Sequence, residues 1–195
     1  MKILVILLAC FINYTNIIDS KIPQSQVNNN AFVVKSGLIK YKVQGTKTGS
    51  ITVIFNNYGD SVYIESNMLL PDNTTIKSKK ILIGNYLINL IPEKKLARIS
   101  KVDNLNLLNS KAFITTEILS SLGYNKVSHE KFKGLDCDKY ISENGEFFIW
   151  NNIIIKSEIK ILNTISKQEV VNIQINNPNK SELFKIPIDY KIIKN

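Results

Sequence analysis

The chain has 195 residues and a formal charge of +9; 44% of its residues are apolar, 8 are glycine and 5 proline. That composition excludes a disordered or collagen-like chain, and two cysteines cannot frame a disulfide scaffold, so one conventional globular domain is expected. Ile, Asn and Lys, all read from AT-rich codons, supply 80 of 195 positions, and Arg98 is the only arginine, so the positive charge reflects compositional bias. It does not point to nucleic acid, which favours clustered arginines, although peripheral contact with an anionic membrane surface is compatible with it.

Met1-Lys2 precedes the apolar run Ile3 to Ile12, the pattern of a signal peptide over residues 1–20. The run is too short to span a bilayer, which takes about 20 such residues. A buried N-terminal strand is the competing reading. Two processing schemes fit: Leu7-Leu8-Ala9-Cys10 matches a lipobox that would make Cys10 the acylated N-terminus, and Ile18-Asp19-Ser20 offers ordinary cleavage. Phe11 and Ile12, which prolong the apolar run past Cys10, favour the second. Either scheme implies export, to a periplasmic or cell-envelope location, with residues 21–30 as a flexible polar leader and 31–195 as the domain. Cys137 is then left without an intrachain partner and reads as a small buried hydrophobe; a nucleophile would need a base, and His129 is the only histidine.

From Gly37 the pattern alternates: Ile39, Tyr41 and Val43 fall on one face and Lys40, Lys42 and Gln44 on the other, a half-buried strand closed by Gly45. Ile51, Val53 and Phe55 share a face of the next strand, and Val62 with Ile64 resume after the turn Asn56 to Asp60, giving an antiparallel meander. Thr75 to Ile83 and Tyr86 to Ile91 read as a hairpin across Gly84-Asn85, with Leu96 to Ile99 as a short edge strand. Asp103 to Ser110 reads as irregular. The spacing of Phe113, Ile114, Glu117, Ile118 and Leu122 predicts one helix, with Ser110 near its start and Gly123 as C-cap.

Strands return with Lys126 to Lys133, Leu135 to Ser142 and Phe147 to Trp150. In the next, Ile153, Ile155, Ile159 and Ile161 alternate with Ile154, Lys156, Glu158 and Lys160, as expected of a sheet that covers a core on one side. Val171 to Ile175 repeats the device, and Leu183 to Pro187 is an edge or a terminal extension because of its proline. About ten strands in one sheet accumulate twist and must curl. The expected fold class is therefore α+β and mostly antiparallel: a strongly curved open sheet, or half-barrel, with one main helix covering the concave face.

Five passages taken in order resemble the LolA-like superfamily of periplasmic lipoprotein carriers, in an uncharacterised secreted branch. They are Gly37 to Val43, Thr52 to Gly59, Phe132 to Tyr140, Phe148 to Glu158 and Phe184 to Tyr190. The resemblance implies a half-barrel whose concave apolar face is covered by helices, of which only one is clear in this chain, and a carrier role in outer membrane lipoprotein sorting. No segment matches the cargo-releasing residues of the characterised carriers.

On that basis the expected function is binding of a hydrophobic ligand, an acyl chain or acylated lipoprotein, lying between helix and sheet against Tyr41, Phe55, Ile155 and Ile159. The same side chains would fill an ordinary core, so an envelope structural or protein-interaction domain with a filled core and no ligand is the alternative. Neither catalysis nor a cofactor is expected: one histidine excludes a multi-histidine metal centre, and phosphate loops, paired-cysteine zinc spacings and nucleophile elbows are missing. Asp136 and Asp138, which flank Cys137 and share a strand face, read as solvated surface.

Overall fold

The computed structural model describes residues 31–101, 115–162, 164–176 and 180–194. The signal segment 1–20 with Cys10, the leader 21–30, the irregular stretch 103–110 and the expected helical residues Phe113 and Ile114 lie outside the described residues.

The elements in chain order are β1 (Gly37–Gly45), β2 (Thr48–Asn56), β3 (Ser61–Leu69), β4 (Thr75–Ile83), β5 (Tyr86–Ile91), β6 (Leu96–Lys101), α1 (Thr116–Ser121), β7 (Asn125–Phe132), β8 (Leu135–Ser142), β9 (Gly145–Trp150), β10 (Ile153–Ile161), β11 (Thr164–Ile175) and β12 (Lys191–Lys194). All the strands join one open sheet in the order β12-β6-β5-β4-β3-β2-β1-β11-β10-β9-β8-β7. Two meanders are thus fused where β1 pairs antiparallel with β11; the one parallel pair among the described strands is β12 on β6. The sequence reading of about ten strands is exceeded by β12 and by β6 being a full strand, and β11 begins at Thr164, seven residues before the expected Val171. Residues 166–169 (Ser-Lys-Gln-Glu) are polar on both faces, so no alternation marks them; their backbone pairing with β1 and β10 makes them strand.

Local chemistry explains the turns. Asn151 and Asn152, at φ 50° and 63°, close the β9–β10 hairpin with two left-handed residues, the geometry whose twist matches the flanking strands. Helix α1 stops where Gly123, at φ 82°, takes the left-handed position; its N–H donates to Ser120 O at 3.0 Å, and that of Tyr124 to Leu119 O at 2.9 Å.

Burial divides into three clusters. The largest unites Phe32, Ile39, Tyr41, Val53, Phe55, Val62 and Leu82 with Cys137, Phe148, Ile153, Ile155 and Val170. The second takes the alternate residues of the same strands, Leu38, Ile54, Tyr63 and Ile81, together with Ile88, Leu90 and Ala97. The runs Leu38-Ile39 and Val53-Ile54-Phe55 are therefore buried on both faces, as continuous apolar runs usually signify. The cover over the second cluster is the chain's own tail: Leu183, Phe184, Ile186 and Tyr190 pack on it, which assigns the proline-containing end to a terminal extension. The third cluster places Leu119 of α1, with Ile118 and Leu122 beside it, against Tyr124, Tyr140, Phe147 and Ile149.

Residues 31–36 form a strap at one end of the sheet. Phe32 N–H donates to Tyr58 O (2.9 Å), Val33 N–H to Asn151 O (3.3 Å), and Tyr58 N–H to Lys35 O (2.8 Å), so the strap touches the tips of both the β2–β3 and β9–β10 hairpins. The Phe32 ring stacks on Phe55 with centroids 3.9 Å apart. Gly59 makes room for it: at φ 91° a Cβ there would lie 2.6 Å from the Ala31 methyl and 2.8 Å from the Phe32 ring, closer than real contacts allow.

Candidate functional site

Residues directly opposite one another in a ladder project to the same side of a sheet, so register traces the face on which a ligand would lie. Tyr41 opposes Ile51 on β2 and Val170 on β11. Two residues on, Val43 opposes Gln168, Gln168 opposes Ser157, Ser157 opposes Phe147, and Phe147 opposes Tyr140. One face therefore runs from the Tyr41 row across β11 and β10 to the aromatic residues packed with α1. Ile159, two residues beyond Ser157, belongs to it as well.

Of the four side chains expected to line this face, Tyr41, Phe55 and Ile155 meet in the largest cluster, all at 1% exposure or less. Ile159 is half-buried and packs instead against the cluster with Leu119 and Phe147. The division coincides with two neighbouring bulges. In β10 the register jumps from Ile154–Ile149 to Lys156–Phe148, leaving Ile155 extra; in β11 it jumps from Asn172–Lys40 to Val170–Tyr41, leaving Val171 extra. A bulge bends its strand and re-aims side chains, and here it interrupts the simple alternation that the sequence suggests for Ile153 to Ile161.

The same rule places Ile51, Val53 and Phe55 on this face, and also Gln168 of β11 and, farther out in the sheet, Lys80, Asn89 and Arg98. Ser66 and Ser78, in the Tyr41 row, bond each other at 2.7 Å. The hydroxyls of Tyr41 and Tyr124 are buried and have no hydrogen-bond partner among the described residues. Burial pushes the Tyr41 hydroxyl's pKa far above its ordinary value, so it stays protonated. Tyr124 meets the Phe147 ring edge to face at 5.0 Å. Sequence reasoning missed it because it sits between the C-cap Gly123 and β7, where no periodicity operates; a tyrosine directly after a helix-ending glycine was the only signal.

On the other side of β9 from Phe147, Lys156 and Phe148 oppose each other, with the ammonium 5.2 Å from the ring centre, and Lys139 lies 5.0 Å from the same ring, which is buried in the cluster with Tyr41. Glu146 bonds Lys156 at 2.6 Å and stands 3.6 Å from Lys139, and the Lys156 hydrogen bond holds its carboxyl below the usual range. Cys137 is fully buried, which pushes its thiol pKa up. His129 opposes Asp138 and bonds it at 2.7 Å, so it projects to the other side of β8 from Cys137 and offers that thiol no base. Asp138 also pairs with Lys126 at 2.8 Å.

Beside the strap lies a separate cleft of about 420 Å³, lined by Lys35, Ser36, Asn56, Asn57, Ser181 and Phe184 among others. Among the described residues no helix is long and apolar enough to cross a membrane.

No protein-family model and no curated protein matches the sequence. Solved structures do resemble the fold. An uncharacterised conserved protein from Thermus thermophilus aligns with TM-score 0.55 and 12% identity over 83% of this chain and 91% of that one. PNGF-II aligns at 0.46 and 13% identity over 83% of this chain, which spans only 31% of that protein. A candidate outer membrane lipoprotein-sorting domain from Vibrio parahaemolyticus aligns at 0.32 and 11% identity, over 77% and 89% of the two chains. The first likeness concerns fold alone, and scores below one half carry no argument.

Proposed function

We propose that this chain is an exported, envelope-located carrier of a hydrophobic ligand, with its sheet curled into a LolA-like half-barrel and the ligand's acyl chain held between α1 and the Tyr41 face. It acts by binding and not by catalysis. The observation that carries this reading is the register: a single sheet face leads from Tyr41 and Val170 to Phe147 and Ile159, and the only described α-helix packs at its far side. Burial of an acyl chain there is worth about 0.8 kcal/mol per methylene, enough for one long chain.

The strap supports the curl. Consecutive amides, Phe32 and Val33, donate to the tips of the β2–β3 and β9–β10 hairpins, and two neighbouring amides reach oxygens roughly 10 Å apart at most. In a flat sheet the same tips, four strand spacings apart in the order, would stand roughly 19 Å apart. The ordered resemblance of five segments to LolA-like carriers supports the same architecture.

Mass spectrometry of organic extracts from natively purified protein tests the reading. A co-purifying acyl lipid is the expected result; a lipid-free protein that also fails to bind a fluorescent fatty acid sinks it and favours a filled-core envelope domain.

A further inference from the structure

The open sheet ends in two edge strands, β7 and β12, and they are built differently. At the first edge, β7 and β8 carry Lys126, Lys131 and Lys139 against Glu130, Asp136 and Asp138, so their charges cancel, and the register shift between Lys126 and Ser128 buckles the outer line. At the second, residues 93–101 and 189–194 hold Lys94, Lys95, Arg98, Lys101, Lys191 and Lys194, all exposed, against only Glu93 and Asp189. Asp189 is already taken up by Lys95 at 3.0 Å. This edge therefore has a surplus of four cations, the chain's one arginine among the six, and its β12–β6 ladder runs without a shift.

The backbone of β12 is set to take another strand. Lys191 N–H donates to Lys95 O at 2.8 Å, so Lys191 and, two residues on, Ile193 turn their N–H and C=O groups toward β6. Ile192 and Lys194 alternate with them and turn theirs away, and among the described residues no strand lies beyond. Two N–H donors and the Ile192 carbonyl thus face outward, the template that an edge strand offers. The lysines at the two ends of β12 decide what uses it. A second copy of β12 laid antiparallel would set Lys191 against Lys194 twice, so the edge rejects itself. A strand with carboxylates at the two matching positions gains two ion pairs instead, and Arg98, which opposes Ile193, adds a further cation on one side of the sheet. We infer that β12 is a docking edge for an extended acidic segment of a partner protein, added antiparallel as a further strand with the pattern acid–apolar–apolar–acid. Its apolar pair lies beside Ile192 and Ile193 and its carboxylates beside Lys191 and Lys194.

The test uses the full chain and fluorescent peptides in which two valines are flanked by glutamates or, as the control, by lysines, with binding read by anisotropy. The glutamate peptide should bind at least about 10-fold more tightly than the lysine peptide, and the double variant Lys191→Glu with Lys194→Glu should reverse the order. Charge alone would produce that order, so the strand geometry has its own arm. Ile192→Pro removes an outward N–H and none of the bonds to β6, as prolines on edge strands do; it should weaken the glutamate peptide about 10-fold and leave Tm within about 2 °C of the parent's. Should that variant melt lower, the peptide answers in its place. Methylating the backbone nitrogen of its second valine, which would donate to the Ile192 carbonyl, should cost about 10-fold, and methylating the first, which faces away, should cost little. No binding of the glutamate peptide, or binding that is indifferent to which valine is methylated, overturns the inference. So does a parent protein that binds phosphatidylglycerol vesicles but not the peptide, which would make this edge a contact for an anionic membrane surface.

Discussion

The two halves of the sheet solve the same problem in different ways. In β1 to β6 the face opposite Tyr41 and Phe55 is apolar, with Leu38, Ile54, Tyr63 and Ile81, and residues 183–190 return to cover it. In β8 to β10 both faces are buried as well, Phe147 and Ile149 against α1, and Cys137, Phe148 and Ile153 in the cluster with Tyr41. Lys139, Glu146 and Lys156 pair with one another beside the Phe148 ring. The first half thus takes the cover for its second face from a terminal segment; the second half takes one face's cover from a helix and shares the other with the first half.

Substitutions at three sites probe that contrast. The largest effect belongs to Phe32→Ala, which deletes the fully buried ring stacked on Phe55 where the strap joins the two halves; it should cost about 3–5 kcal/mol in urea unfolding. Next, Phe184→Ala opens the tail-covered face of the first half, with an expected loss of about 1–3 kcal/mol and increased binding of a hydrophobic dye. If the dye signal does not rise, the tail is not what keeps that face dry.

Glu146→Gln should be the smallest, about 0.5–1 kcal/mol at neutral pH, because the pair is partly solvated. Its pH signature is more informative than its size. The Lys156 hydrogen bond depresses the folded-state pKa of Glu146 below its ordinary value of 4.5. The associated stability is therefore present above pH 4.5 and lost as pH falls through the lower folded value. The parent should lose that increment on acidification and the variant should not, a difference readable from paired denaturation curves at about pH 7 and about pH 3.

Much of the strand plan was legible in the sequence because its signals are local. The alternation from Ile39 to Val43 and the apolar pair Leu38-Ile39 fix one strand and its faces, and Leu135–Ser142 is bounded as expected. What was not legible depends on distant partners. The union of β1 with β11 joins residues more than a hundred positions apart, and nothing in either segment names the other. The paired bulges are equally silent: Ile153 to Ile161 reads as clean alternation, yet Ile155 is the extra residue that shifts the rest of the strand. At the candidate site, Tyr41 could be found by periodicity and Tyr124 could not, since a residue between a helix cap and a strand obeys neither period.

The neighbouring bulges carry a mechanical consequence. The β10–β11 ladder runs from Ile161–Thr164 to Lys156–Glu169 and, among the described residues, pairs no further. Beyond that seam β10 and β11 meet through side chains at Ile155 and Val170 without rungs between their backbones. A crease of this kind lets the two strands splay or close by trading van der Waals contacts alone, while every rung on either side stays intact.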